Sequence, residues 1–495
     1  MHWLRSANCR CREARSVKAV FGLAAVSAIV FGIVLDFQML PLGVPSEWDW
    51  ERIPRNLLPA WRWYLPALLV GAMLVGWVAA GVRWIETASR RRFVSGLLVT
   101  TALAGAFQLA LELPSRQGLG KWIVAVYAPQ VTGFFQVATH APANASEILG
   151  GYPDLVRRLP PGHISANPPG WVVVDRAVLD FFKDAKRRRA FSAMEPAELD
   201  AMFDRLTPPM GAAPEERPAA VAIALASRLL SLLVVLPSAW LACLRHGRWA
   251  AWLVAGAAGM IPAAIMFAPR CDCVYATIIT LAIGLAYHAG DRPAKASSLA
   301  CGLLIGVGML FSLCFLVAAA FCVAVVAALW LQRRVFYRWI AVAFAVGWAF
   351  APLAILSFTG CNIGDTWLAN LAKNAEFNDL TGRTYSVWAA LNPIEFLVAL
   401  GLPAGVLLIR RQASEVRKLF AATPDAVAIA WLAIMLLLNF SGSNRAEVAR
   451  LWIFMMPAAA ALAFEALPRD WRACAGFLGL QGLVCIVLCR ELAVM

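Results

Sequence analysis

Charge is what this sequence has least of. Only 15% of its 495 residues are Asp, Glu, Lys or Arg, against roughly a quarter in soluble domains. Hydrophobic residues make up 61%, and the mean hydropathy is +0.68. Such scarcity of charge excludes a soluble globular fold, whose interior cannot hold so much apolar surface. No basic domain stands apart from the apolar runs, so the formal charge of +14 does not mark a nucleic-acid binder. The basic residues sit instead in short clusters between those runs: Arg90-Arg91-Arg92, Arg245 with Arg248, Arg333-Arg334 and Arg410-Arg411. That is how cytoplasmic connectors of membrane proteins look.

Metal-ligand spacing is also missing. Cys9/Cys11 and Cys271/Cys273 are each a lone C-x-C, with no second pair or histidine at ligand distance along the chain. No cluster of outer-face carboxylates and histidines has such spacing either, so the sequence supports neither a metal nor another cofactor. Of the 12 cysteines, Cys243, Cys301, Cys314, Cys322, Cys474, Cys485 and Cys489 lie in or beside apolar runs and read as small hydrophobes. The disulfide open to an oxidising compartment is Cys361 with Cys271 or Cys273. No small-residue cleavage site follows the run 19–35, which Arg5, Arg10, Arg12, Arg15 and Lys18 precede, so it reads as an uncleaved first span.

What is present is a succession of apolar runs long enough for a hydrocarbon core of roughly 30 Å. They fall near 18–36, 65–82, 93–112, 218–243, 249–268, 273–290, 297–313, 315–331, 339–358, 393–409, 425–440, 451–466 and 474–489. The fold class is therefore all-α, a polytopic transmembrane helical bundle of about 11–14 spans. Three regions divide it. Residues 1–112 hold the first three spans and an acidic first outer loop, 113–217 form a long outer-face segment, and 218–495 carry the remaining helices with an outer loop at 359–392. Within 113–217, the apolar stretch 122–138 is broken by Pro129, Gln130, Gly133 and Gln136, which suits an interfacial or re-entrant helix better than a span. The same segment contains Lys186-Arg187-Arg188-Arg189, against the charge rule, from which long loops are exempt. The alanine- and arginine-rich composition points to a bacterial inner membrane.

Three outer-face regions concentrate polar and aromatic residues. The first reads Ser46-Glu47-Trp48-Asp49-Trp50-Glu51-Arg52. Its carboxylates, Glu47, Asp49 and Glu51, sit where a general base reaches a lipid headgroup, or else they are solvated acids in an aromatic belt. The second, Gly162-His163-Ile164-Ser165-Ala166-Asn167-Pro168-Pro169-Gly170, presents His163 and Asn167 from a stiff turn, or is a helix-opening turn with polar caps. The third comprises Pro269-Arg270-Cys271-Asp272 and Asn444-Arg445-Ala446-Glu447-Val448-Ala449-Arg450. Arg270, Arg445 and Arg450 suit a phosphodiester; the alternative is internal pairing, Arg270 with Asp272 and Glu447 with Arg450. Arg228, in the middle of an apolar run, demands a partner or a cavity.

The order of these features resembles the polytopic GT-C class of glycosyltransferases, close to its aminoarabinose and mannosyl transferase group. Residues 163–170 resemble that class's His-Pro-Pro-Gly-type turn, 269–272 its Pro-x-x-Asp at a span start, and 444–450 its late arginine-rich motif. The resemblance implies transfer of a sugar from a polyprenyl-phosphate carrier to an acceptor lipid, glycan or protein on the non-cytoplasmic face. It implies a catalytic base in the first outer loop: Asp49 by preference, because it lies between Trp48 and Trp50, otherwise Glu47 or Glu51. It assigns substrate binding to His163, Asn167, Arg270, Asp272, Arg445 and Arg450. Where the class often has histidine, this chain has Asn167, which cannot titrate but can hydrogen-bond. The competing class is a transporter or lipid flippase, against which stands the lack of a hydropathy repeat between the halves.

Overall fold

The computed structural model describes residues 2–37, 42–115, 117–142, 144–193, 195–206, 211–419 and 423–492, with side chains from residue 17 onward. Cys9 and Cys11 therefore lie outside the described side chains. The fold is all-α. Among the described residues the one sheet is a two-stranded antiparallel ladder, Gly43–Val44 against Trp48–Asp49.

Among the described residues, eight helices are long and apolar enough to cross a membrane, and a ninth crossing is added if one bent pair counts as a span. Their outward surfaces fit lipid: on the helix Arg338–Thr359, Phe358 is 87% exposed, and Val346, Phe350 and Leu353 are exposed with it. The protein is thus integral to a membrane. Several predicted runs are broken. The run 393–409 is divided between Tyr385–Leu400 and Leu402–Lys418, which meet at 120°, with Gly401 at φ 98° in the turn. The runs 218–243 and 249–268 share one 43-residue apolar stretch, Glu216–Ala258, with Gly247 non-helical inside it. The run 297–313 is a 14-residue helix, Lys295–Gly308, only about 21 Å long at 1.5 Å per residue.

That short helix is held by close backbone approach. Gly302 and Gly306, one turn apart, face the carbonyls of Phe344 and Trp348 on Arg338–Thr359, and a Cβ on either would overlap them. Association of helices in lipid depends on such small-residue contact, because lipid tails are as apolar as the side chains they replace.

Charge near the middle of the bundle is paired around Arg228. Arg228 donates to Gln108 Oε1 at 2.8 Å and lies 3.4 Å from Glu112, which also holds Lys121 at 3.2 Å and accepts from Trp122 Nε1 at 2.8 Å. The mid-span arginine is therefore part of a buried polar network. Arginines of the basic clusters are also paired, among them Arg245 and Arg411. Arg245 bonds Asp425 and Glu465, each at 2.7 Å, and Arg411 bonds Glu415 at 3.0 Å and Asp425 at 3.3 Å.

The segment 122–138 forms two seven-residue helices, Lys121–Tyr127 and Phe134–His140, separated by Gly133 at φ 75°. Ile123 and Phe135 are fully buried, so this stretch packs against protein. The expected disulfide does not form: Cys361, Cys271 and Cys273 are all free, and Cys361 Sγ points to the Leu149 carbonyl at 3.0 Å.

Two measurements probe this architecture. Cysteines introduced at Asn56 and Ala145 should both react with an impermeant reagent in intact cells; labelling at Ala145 only after permeabilisation would reverse the placement of 113–217. Gly306→Val should destabilise the solubilised protein by about 1–3 kcal/mol through overpacking, read as a fall in thermal midpoint. An unchanged midpoint would mean the two helices are held elsewhere.

Candidate active site

The acidic loop after the first helix folds into the small ladder, where successive side chains point to opposite faces. Trp48 turns inward, 6.0 Å from the Trp388 ring and 6.1 Å from Trp50. Trp50 is buried against Phe267 at 6.3 Å. Asp49 points the other way and is exposed, as is Glu51. The expected enclosure of Asp49 by its neighbouring tryptophans is therefore not found: alternation buries the rings and leaves the carboxylate in water. Glu47 is the hydrogen-bonded acid of the three. It accepts from Thr384 Oγ1 at 2.6 Å, Thr384 N at 2.8 Å and Trp388 Nε1 at 2.6 Å. The hydrogen bonds from Thr384, side chain first and then backbone, hold its carboxyl below the usual glutamate range, helped by Trp388 and the charge of Arg383.

The turn before the helix Gly170–Phe181 is closed by its own polar groups. Asn167 Nδ2 donates to the His163 carbonyl at 2.8 Å. Asn370, fully buried on the helix Ile363–Leu380, donates to the carbonyls of Ser165 and Asn167 at 2.7 and 3.1 Å. Asn167 thus fastens the turn, and His163 is what the turn presents. The His163 ring lies edge-on to Phe134 at 5.4 Å, and its Nδ1 has no hydrogen-bond partner. Burial, then the positive charge of Arg450, pushes its pKa down to about 4.

Arg270 caps the start of the helix Cys271–Asp291 and is only 7% exposed. Its guanidinium lies over Phe267, 5.7 Å from the ring centre. Burial and then the like charge of Arg450 push its pKa down to about 10. Asp272, 9% exposed, keeps Oδ2 without a partner. The expected Arg270–Asp272 ion pair is not made among the described residues. The Glu447–Arg450 pair is made, at 2.8 Å, and Glu447 also bonds Arg383 at 2.7 Å. These two partners hold Glu447 below the ordinary glutamate range against its burial.

The loop carrying Glu447 is strained. Ala446 and Glu447 have φ of 70° and 58°, a conformation that costs non-glycine residues energy and persists where surroundings impose it. Here they do. Asn392 Oδ1 accepts from Ala446 N at 3.3 Å, Asn392 Nδ2 donates to the Asn444 carbonyl at 3.1 Å, and Glu395 Oε1 accepts from Ala449 N at 3.1 Å. Arg445 serves the same end, donating to the carbonyls of Arg383 and Gly442 at 3.0 and 3.3 Å. Its guanidinium is spent on backbone. Sequence reasoning missed Arg383, Asn392 and Glu395. The signal for the last two was there: polar residues three apart in Asn392-Pro393-Ile394-Glu395, on one face of an otherwise apolar helix.

His163, the neighbouring Arg270 and Asp272, and Arg450, drawn from three distant stretches of sequence, thus lie within each other's electrostatic reach, with Glu447 among them. Glu47 stands one step away through Arg383. Asp49 and Glu51 face water. Beside the start of Cys271–Asp291 lies a cavity of about 410 Å³, walled by Trp171, Val178, Ile223, Tyr275, Phe311 and Phe315. Tyr275, which stands one turn below Cys271, thus belongs to both the cavity wall and the neighbourhood of the polar cluster.

No protein-family model matches the chain, and no curated protein matches it. Among solved structures, the crystal structure of ArnT from Cupriavidus metallidurans in the apo state matches with a TM-score of 0.38 and 17% identity, over 62% of this chain and 51% of that one. The match thus spans about half of that protein. Similarity at this level leaves the chemistry to this chain's own residues.

The Glu47 clamp has a pH signature. A carboxyl whose folded pKa is depressed adds stability above the ordinary glutamate value and loses it as pH falls through the folded value. Glu47→Gln should therefore lower the thermal midpoint at pH 7, and the gap from the native chain should close as the pH is lowered below that ordinary value. Equal midpoints at pH 7 would show that the clamp holds nothing.

Proposed function

We propose that this protein is a membrane glycosyltransferase, moving a sugar from a polyprenyl-phosphate carrier to an acceptor hydroxyl on the non-cytoplasmic face. One observation carries the reading: the turn at 163–170, the helix start at 269–272 and the loop at 444–450 meet at one place. There they gather two arginines, the buried Arg270 and the half-buried Arg450, of which, among the described residues, only Arg450 has a carboxylate bonded to it. A leaving phosphate gains negative charge as the glycosidic bond breaks, and preorganised guanidinium donors in a site shielded from water stabilise that charge. The apolar cavity beside the cluster suits the isoprenoid chain of such a carrier.

In the proposed step the acceptor oxygen forms the new bond to the anomeric carbon, the bond to phosphate oxygen breaks, and a first-loop carboxylate takes the hydroxyl proton. Both oxygens of Glu47 are already engaged by Thr384 and Trp388, which leaves it the least open of the three to an incoming hydroxyl. Asp49 and Glu51 keep lone pairs open on the water side, from which an acceptor arrives. Asp49 is the preferred base, and His163 and Asp272 line the donor side. The mid-span charge that a transporter would use, Arg228, is engaged by Gln108 and Glu112.

The test is release of polyprenyl phosphate from radiolabelled polyprenyl-phosphate sugars by the purified protein. Arg450→Lys keeps the charge but loses the planar fork, and should slow transfer by about tenfold or more. Asp49→Asn should cost on the order of 10²-fold if Asp49 is the base; Glu47→Gln and Glu51→Gln are its companions. Wild-type rates in all three amide variants would remove the first loop from the chemistry. Failure of the native chain to consume any such donor would remove the proposal itself.

A further inference from the structure

We infer that His163, Cys271 and Asp272 form a binding site for a borderline-soft divalent cation, zinc being the natural occupant. The C-x-C at Cys271 lacks a histidine nearby in sequence, yet folding brings one from 108 positions upstream. One ligand atom from each of the three residues lies within 4.8 Å of the other two. Tetrahedral zinc with bonds of about 2.0–2.3 Å sets its ligands roughly 3.5 Å apart, so contraction of about 1 Å closes the set.

Two of these residues carry a polar atom that is unexplained otherwise. His163 Nδ1 and Asp272 Oδ2 are buried without a hydrogen-bond partner, although leaving such groups unsatisfied costs free energy. No cation of the protein fills the gap: among the described residues neither Arg270 nor Arg450 makes an ion pair with Asp272. A second group of similar composition, His246, Asp425 and Glu465, shows the contrast. There Arg245 already bonds both carboxylates at 2.7 Å, and a metal would have to displace it.

The charge balance also works. On binding, the Cys271 thiol gives its proton to water, so thiolate and carboxylate together neutralise a dication, with an uncharged imidazole as third ligand. The two neighbouring guanidiniums then meet a neutral complex and not an added positive charge. Three protein ligands leave a fourth position open, as in catalytic zinc sites.

The experiment is cobalt binding. The full-length protein in detergent, stripped with a chelator, is titrated with Co²⁺ and then with Zn²⁺. One cobalt per chain should bind with a near-ultraviolet thiolate-to-cobalt absorption band, which Zn²⁺ displaces. Cys271→Ser should abolish the band, and a Cys9→Ser/Cys11→Ser double variant should keep it. Should Cys271→Ser fail to fold, Asp272→Asn retains the thiolate and should weaken cobalt binding at least about tenfold. No band in the native chain, a band surviving Cys271→Ser, or undiminished affinity in Asp272→Asn would overturn the site. The readout is binding, so a chain that binds cobalt but transfers no sugar would keep this inference and lose only the transferase reading.

Discussion

Glu447 holds two arginines at once, and the candidate site depends on that grip. One carboxylate oxygen takes Arg383 and the other Arg450, at 2.7 and 2.8 Å. To do so the residue adopts a backbone conformation that side chains other than glycine avoid. The strain persists because Asn392 and Glu395, buried on a neighbouring helix, bind the backbone amides and carbonyl of the same loop. Arg383 in turn bonds the Arg445 carbonyl at 2.8 Å, and its charge reaches Glu47. Four stretches of chain are thus tied through one carboxylate, close to a medium that offers no water to satisfy a group left over.

The same constraint explains which parts of the architecture are readable from sequence. Lipid-facing helices must be apolar over a fixed length, so runs such as 65–82, 93–112 and 474–489 match the observed helices. Breaks are less visible. A single glycine at 401 bends a continuous apolar run by 120°, and composition is unchanged across it. Gly302 and Gly306 pack backbone to backbone, yet in the run 297–313 they look like any other small residues.

In the site, short polar motifs stand out because polar residues are rare here, and three of them do converge. What cannot be read from spacing is direction. Asp49 sits between two tryptophans in sequence, but in an extended strand neighbours face opposite ways, so the rings are buried and the acid is not. Asn167 and Arg445 belong to the motifs but spend their hydrogen bonds on main-chain carbonyls. Glu395 and Asn392 escape notice because they are embedded in an apolar helix, where only their three-residue spacing marks a common face.

The distribution of partners within the cluster says what kind of ligand it awaits. Arg383 and Arg450 share Glu447, and Glu47 is satisfied by neutral donors. Arg270 is as buried as either arginine but rests on the face of Phe267, with Asp272 near it and not bonded to it. A cation–π contact recovers part of the solvation an arginine loses on burial, whereas an ion pair recovers more. Asp272 keeps an oxygen without a partner and lies in a cluster with His163 and Cys271. A chain with so little charge has set an arginine and an aspartate side by side without joining them. Each is then free for a different partner, the arginine for an anion and the aspartate for a cation, and a phosphate ester drawn to a metal-bearing site supplies the first beside the second.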